Sequence, residues 1–155
     1  MTLIEKIGLL YINSVRFMRL TIISVLSNLL FTSKNEYKKI LINRDGAFGD
    51  SIVALPALSL IRQKHPKAQI DLLSTNNGNV SFKDLGLNKD LINNLYTVKK
   101  DQRKETLKLL KKQKYDLFIQ IPQNIGIYKS SRNMFLVRFY LNIGSAFGWD
   151  CGRIK

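Results

Sequence analysis

The sequence of 155 residues is poor in cysteine and histidine, and this shortage excludes two kinds of site. Cys151 is the single cysteine, so no internal disulfide can form, and His65 is the single histidine, so no histidine cluster can hold zinc. Both facts are typical of a protein from a reducing cytoplasm and predict a site without a metal. Because His65 precedes Pro66 at a predicted helix end, we expect it to cap the helix or lie on the surface.

Acidic residues are also scarce. Eleven Asp and Glu oppose 25 Lys and Arg, which gives a formal net charge of +14. Such a charge implies an anionic partner: a nucleic acid, a lipid headgroup surface or a phosphorylated substrate. Charge alone does not choose among these three. The length and the apolar fraction of 45% predict one globular domain rather than a disordered chain.

The chain has no uncharged run long enough for a typical membrane span. The longest one, Leu20 to Ser33, has 14 residues, whereas roughly 18 to 20 cross a bilayer. Apolar residues instead recur at steps of three and four, which predicts an amphipathic helix lying on a membrane surface. A helix packed on the domain or on a second copy, and a true span, are the alternatives. The apolar stripe consists of Ile4, Ile7, Tyr11, Val15, Met18, Ile22, Val25 and Leu29.

Beyond a polar linker, short apolar runs alternate with helical patterns, and this alternation predicts a parallel sheet with flanking helices. The sequence therefore predicts an α/β fold. Strands are expected at 40–42, 70–74, 91–98, 117–121 and 146–149, and helices from Ile52 onward, at 80–85, at 102–115 and at 133–142. In the first of these helices Pro56 is expected one turn inside, and in the third Leu107, Leu109 and Leu110 are expected to face the sheet. The lysines between Lys99 and Lys114 are interpreted as a solvated face, with phosphate or membrane contact as the alternative.

A glycine-bearing turn, Asp45-Gly46-Ala47-Phe48-Gly49-Asp50-Ser51, follows the first strand. It lacks the lysine of a Walker A loop and the third glycine of a dinucleotide fingerprint, so neither nucleotide motif is satisfied. Its glycines still allow a ligand to approach backbone N–H groups at the start of the next helix. Asp50 is interpreted either as the helix N-cap or as a general base. Asp45 is a second candidate base, with a turn-forming role as its alternative.

The segment ILINRDGAFGDSIVALPALSLIRQKHPKAQIDLLS resembles the amino-terminal part of the family 9 glycosyltransferases, the heptosyltransferases of lipopolysaccharide synthesis. In that family a strand of the type "ILIIR" leads into a turn ending Gly-Asp, then a helix of the type "TPALRALRKRYP" and then "AEIDLL". Gly49-Asp50, 55–58, 64–66 and 70–73 stand in those places. The later segment 114–119, KYDLFI, resembles the family's "YD" strand.

The resemblance implies the acceptor-side half of a GT-B enzyme that transfers a sugar with inversion. It implies that Asp50 deprotonates the acceptor hydroxyl and that Gly46, Phe48, Gly49 and Ser51 line the acceptor site. No cofactor or metal is implied. The donor substrate would be a nucleotide sugar similar to ADP-heptose, and the acceptor a glycolipid of the lipopolysaccharide type.

The resemblance covers residues 39 to about 150 and so divides the chain into a helical leader, 1–38, and a Rossmann-like domain, 39–155. We expect the carboxyl-terminal donor-binding domain of the family to be absent from this chain, and we therefore expect the chain to be inactive unless a partner chain supplies that domain. The expected location is the cytoplasm, at the periphery of the inner membrane. A non-catalytic membrane-associated module of the same fold is the alternative function. A nucleic-acid-binding domain, suggested by charge alone, is the least favoured one.

Overall fold

The computed structural model describes residues 2–44, 48–75, 90–98, 101–121 and 126–149. The helices are α1 (Leu3–Leu30), α2 (Phe48–Lys64), α3 (Arg103–Gln113) and α4 (Gly126–Phe135), and α4 continues into a π-helical turn (Leu136–Tyr140). The strands are β1 (Lys39–Asn43), β2 (Gln69–Thr75), β3 (Asn94–Val98), β4 (Leu117–Gln120) and β5 (Ser145–Phe147).

The five strands form one parallel sheet in the order β3-β2-β1-β4-β5. The α/β, Rossmann-like fold class predicted from the sequence is therefore confirmed. From central β1 the chain first extends the sheet outward through β2 to β3, and then returns to the other side of β1 with β4. The strand order thus reverses between β1 and β4. In open parallel sheets the carboxyl edge at such a reversal is the usual place for a ligand.

One side of the sheet packs against α2, and we call it the α2 side. Its strand residues are aliphatic and buried, and Ala54 and Leu58 of α2 close over them. Burial of aliphatic surface on both elements holds α2 against the sheet. The strand residues of this side are Ile40, Ile42, Ile70, Leu72, Leu95, Leu117 and Ile119.

The opposite side packs against α1, α3, α4 and the π-helical turn, and we call it the three-helix side. At its centre the Trp149 ring stacks between Phe31 and Phe118, with ring centroids 5.3 and 5.4 Å away. Met134 and Val137 belong to the same buried cluster. Phe31 follows directly after α1, and the neighbouring Thr32 N–H donates to the Gly144 carbonyl at 2.9 Å. The end of α1 is thereby fastened to the rest of the fold.

Helix α1 packs on the fold through its carboxyl-terminal turns alone. Ile23 is buried, and Leu26 and Leu30 pack against the same cluster. The apolar stripe predicted from the sequence lies on a different face and is exposed, from Ile4 at 82% to Val15 at 41%. At the other end Thr2 and Glu5 form a capping box. By length and composition the helix from Ile4 to Leu30 could cross a membrane, and very little of it is buried within the fold.

Several predicted boundaries were wrong. Helix α2 begins at Phe48, so Pro56 is its ninth residue rather than lying one turn inside. Leu109 of α3 is 44% exposed, whereas Leu110 is buried as predicted. The helix predicted at 133–142 begins at Gly126, because the segment Gly126–Tyr140 is helical throughout. The short helix predicted at 80–85 lies outside the described residues.

Candidate functional site

The carboxyl edge of the sheet carries buried polar side chains at the ends of three strands. Asn43 ends β1 and Arg44 follows it, Ser74 lies near the end of β2, and Gln120 ends β4, each with at most 8% of its surface exposed. The connections 45–47, 76–89, 99–100 and 122–125, which follow these strands and β3, lie outside the described residues. The described part of this edge is therefore the floor of a candidate site at the strand reversal.

A side-chain hydrogen bond joins the two strands on either side of the reversal. The Asn43 Nδ2 donates to the Gln120 Oε1 at 2.9 Å, and the Gln120 Nε2 donates to the Ile121 carbonyl at 3.1 Å. The Ile121 N–H in turn donates to the Asn43 carbonyl at 3.0 Å. Since buried amides must find partners, this short network fixes the ends of β1 and β4 relative to each other.

Arg44 is a buried cation at the same edge. The Arg44 N–H donates to the Leu73 carbonyl at 2.9 Å, so the residue continues the β1–β2 pairing by one position. Its guanidinium is of the type that binds phosphate or carboxylate in a bidentate manner. No functional role is predicted from the sequence for Asn43, Arg44 or Gln120. The signal was present, because polar residues ended several apolar runs and the carboxyl ends of parallel strands meet at one edge.

Four of the predicted site residues lie together in the first turn of α2. Phe48, Gly49, Asp50 and Ser51 have helical backbone and follow β1 after a connection of four residues, 44–47. Asp50 is the third residue of the helix, so the interpretation as N-cap is wrong, because an N-cap residue has non-helical backbone. The side chains of Phe48, Asp50 and Ser51 lie outside the described residues, as do Gly46 and Asp45 entirely. The roles assigned to these residues stay predictions.

The start of α2 offers an open approach for a ligand. Gly49 is exposed, and a Cβ atom placed on it would meet no other atom within 4 Å. Helix N-termini present backbone N–H groups and a partial positive charge, so they favour anions and carboxylates. A phosphate or a sugar hydroxyl could approach this turn from the side of Gly49. The carboxyl edge thus combines a helix N-terminus, a buried arginine and amides held by hydrogen bonds.

A second polar cluster lies inside the fold and serves its packing. Asp71 in β2 is fully buried and accepts from Asn94 Nδ2 at 2.9 Å, Gln69 Nε2 at 2.9 Å and Tyr115 OH at 2.6 Å. Burial, and then the hydrogen bond to Asp71, raises the pKa of Tyr115 far above its usual value. Because a buried carboxyl needs hydrogen-bond donors, Asp71 joins β2, β3 and the segment that follows α3 through its three partners.

The open pocket at the opposite, amino-terminal edge has a volume of about 750 Å³ and is lined by Arg62, Lys67, Asn93 and Asn94, among others. The Arg62 guanidinium donates to the Ala68 carbonyl at 2.7 Å and to Asn93 Oδ1 at 2.9 Å, with longer contacts to further carbonyls. These contacts join the end of α2 to the segments before β2 and β3. We therefore assign Arg62 to the architecture of the fold and place the candidate site at the carboxyl edge.

Within the described residues, no three side chains of His, Cys, Asp and Glu lie close enough together to hold a metal ion. No protein-family model and no curated protein matches the sequence. Among solved structures, the chain is similar to a family 9 glycosyl transferase from Veillonella parvula DSM 2008, with a TM-score of 0.47 and 16% sequence identity. The similarity covers 75% of this chain and 37% of the length of that protein.

Proposed function

We propose that this chain is the acceptor-side domain of an inverting, heptosyltransferase-like glycosyltransferase. The observation that carries the proposal is the ordered series of family-type motifs from β1 to β2. It is supported by the position of Gly49-Asp50 at the start of α2, directly after the central strand and beside the reversal of strand order. This is the edge at which parallel sheets bind ligands.

The proposed reaction uses Asp50 as general base. The carboxylate takes the proton of an acceptor hydroxyl, and the resulting oxygen attacks the anomeric carbon of the donor sugar from the face opposite the leaving group. The bond from that carbon to the nucleoside diphosphate breaks, and the diphosphate leaves with the electron pair. Gly46, Phe48, Gly49 and Ser51 line the acceptor side, and the buried Arg44 is suited to a phosphate group of the acceptor.

The nucleotide sugar requires a second domain in this proposal. In the GT-B arrangement, the nucleotide binds mostly to the carboxyl-terminal domain, and the present chain spans 37% of the length of the solved structure reported above. A partner chain, or a further segment of the same polypeptide, would provide that domain. The donor is proposed to be ADP-heptose-like and the acceptor a phosphorylated glycolipid at the cytoplasmic face of the inner membrane.

The test of Asp50 is a transfer assay with the chain completed by a GT-B donor domain. Asp50→Asn keeps the size of the side chain but removes its basicity, and we expect turnover to fall about 10²-fold or more. Glu105→Gln removes an exposed carboxylate on α3 and is the matched control, with unchanged turnover expected. Glycolipid binding by the uncompleted chain should survive Asp50→Asn. Full turnover in the Asn variant would overturn the assignment of the base.

A second candidate function, favoured by α1, is a non-catalytic membrane-associated module. The helix exposes an apolar stripe along its whole length while only its last turns pack on the fold. Sedimentation of the full chain with lipid vesicles, compared with a variant in which Ile7, Tyr11 and Met18 are changed to Ser, tests this association. Lost sedimentation in the variant would support membrane contact through α1, and equal sedimentation would exclude it. A chain that binds vesicles but shows no transfer after completion would favour the module over the enzyme.

A further inference from the structure

The folded part of the chain carries a second exposed apolar surface, on α4 and the π-helical turn. Tyr128 is 78% exposed, Phe139 67%, Phe135 46% and Tyr140 38%. The Phe135 and Phe139 rings stack on each other with centroids 5.7 Å apart, so the two side chains form a continuous patch. We call these four residues the aromatic ridge. Within the described residues seven large aromatic side chains are exposed, and six of them lie on this ridge or on α1.

Basic side chains surround the aromatic ridge. Lys129 and Arg132 of α4 are exposed and lie between Tyr128 and Phe135 in the sequence, and the Lys111 Nζ of α3 lies 4.9 Å from the centre of the Tyr140 ring. That contact makes the lysine face of α3 continuous with the ridge. The π-helical turn and α4 contain no acidic residue. Aromatic rings with interspersed Lys and Arg are the composition that proteins place at the boundary between water and lipid.

The charge of the helices favours a lipid surface over a protein partner as the occupant of the aromatic ridge. The helices of the three-helix side contain eleven basic and two acidic residues, whereas α2 on the other side contains two basic and one acidic. An anionic bilayer attracts such a layer of charge, and each lysine near the surface strengthens binding. Helix α1, whose apolar stripe is exposed, packs against this same layer.

We propose that the aromatic ridge, flanked by the lysines of α3, docks on an anionic lipid bilayer alongside α1. The docking rests on the proposed membrane association and not on sugar transfer. It gives the folded part of the chain a fixed orientation, because two separate surfaces contact the bilayer instead of one helix alone. In this orientation the rings of Phe135 and Phe139 lie at the depth of the headgroups, and Lys104 and Lys108 contact their phosphates.

Tryptophan probes in the full chain test this orientation. Trp149 is the sole native tryptophan and is 6% exposed, so it provides a low background. Phe139→Trp places a probe on the ridge, Tyr11→Trp one on the apolar stripe of α1, where Tyr11 is 71% exposed, and Leu60→Trp a matched control on α2, where Leu60 is 65% exposed. With vesicles of phosphatidylglycerol and brominated phosphatidylcholine, we expect quenching at positions 11 and 139 and none at position 60. Equal melting temperatures of the three variants verify that they fold.

The other outcomes overturn the proposal in distinguishable ways. Quenching at position 11 alone leaves membrane association through α1 intact but removes the ridge from it. Absence of quenching at all positions excludes both. A chain that is dimeric in solution and becomes monomeric with Phe139→Ser, without quenching at position 139, identifies a second copy as the occupant of the ridge.

Charge is tested by a separate pair of variants. Lys104→Gln with Lys108→Gln should weaken binding to phosphatidylglycerol vesicles at least about fivefold and leave binding to neutral vesicles unchanged. The matched control, Lys64→Gln with Lys67→Gln, removes the same charge from the end of α2 and the turn after it, and we expect a smaller loss. Equal losses in the two pairs would mean that net charge, rather than this face, attracts the chain.

Discussion

The two sides of the sheet are packed with different kinds of side chain. On the α2 side, the strand residues are aliphatic, and one helix covers them. On the three-helix side, Asn43, Asp71, Asn94 and Gln120 share the strand faces with apolar residues. The α2 side depends on burial of apolar area, which tolerates small shifts of the helix against the sheet. The three-helix side also depends on hydrogen bonds, which are lost when donor and acceptor move apart.

The two sides of the sheet also contribute differently to the proposed functions. Helix α2 begins at the candidate site, and its aliphatic packing on the sheet fixes the position of its first turn at the carboxyl edge. The helices on the other side carry eleven of the 25 basic residues and expose the aromatic ridge. In the two proposals above, chemistry on an acceptor takes place at the carboxyl edge of the sheet, and attachment to a surface takes place on the helices of the three-helix side.

The largest effect is expected at the edge where β5 meets β4. Gly148 has φ of 102°, and a Cβ atom at this position would lie 1.9 Å from the Gln120 carbonyl oxygen. Gly148→Ala therefore combines backbone strain with a clash against backbone, and we expect a loss of about 3 kcal/mol or more in the free energy of unfolding. Gly144→Ala is the control, because its Cβ would meet only Arg138 Nη1 at 3.4 Å. Urea unfolding measures both, and similar stabilities would contradict the close approach.

On the α2 side, the test is removal of aliphatic volume. Leu58 is 1% exposed and packs against the strands, so Leu58→Ala should cost about 2 to 5 kcal/mol. Leu60 lies two residues further on the same helix and is 65% exposed, and Leu60→Ala should cost less than about 0.5 kcal/mol. Thermal or urea unfolding of the two variants compares equal chemical changes. A small effect at Leu58 would show that α2 is not held as described.

On the three-helix side, the test is removal of a single hydroxyl. Tyr115→Phe leaves the buried Asp71 carboxyl without its 2.6 Å donor and should cost about 1 to 3 kcal/mol. The raised pKa of Tyr115 adds a pH dependence. Since the folded state holds the phenol proton more tightly, this contribution is complete below the unfolded value of about 10 and is lost as the pH rises above it. The native chain should therefore lose its advantage over Tyr115→Phe above pH 10, and a constant difference would contradict this.

The sequence predicted the sheet better than the site. Short aliphatic runs are typical of strands buried on both faces, and every predicted strand overlaps an observed one. The start of α2 was missed because Phe48 and Gly49 have low intrinsic helix propensity, although the helix begins at Phe48. The Asp71 cluster could not be read, because Tyr115 is 44 positions away and meets Asp71 only after the sheet has formed.

The packing of α1 was also beyond prediction from the sequence, whereas the edge of the sheet was not. The apolar stripe was correctly recognised as one face, but the face that packs consists of Ile23, Leu26 and Leu30, a short patch within a long helix. Periodicity identifies an apolar face without showing what covers it. The polar ends of β1 and β4 could have been placed at one edge, because that follows from parallel pairing alone.

The smallest effect is expected from His65, which lies beside the α2 side at the end of α2. Its ring meets the Tyr37 ring edge-on at 5.8 Å, and its backbone N–H donates to the Ile61 carbonyl. Burial, and then the charge of Lys64, lowers the pKa of His65, although Asp116 partly opposes the shift. The unfolded state then binds the proton more readily, so this contribution is complete above about pH 6.5 and is lost as the pH falls through the folded pKa. His65→Gln should therefore flatten the fall in stability between about pH 7 and pH 5, whereas Lys67→Gln, a nearby change without titration in this range, should leave it. An unchanged slope in His65→Gln would show that acidic groups alone set the acid side of the stability curve.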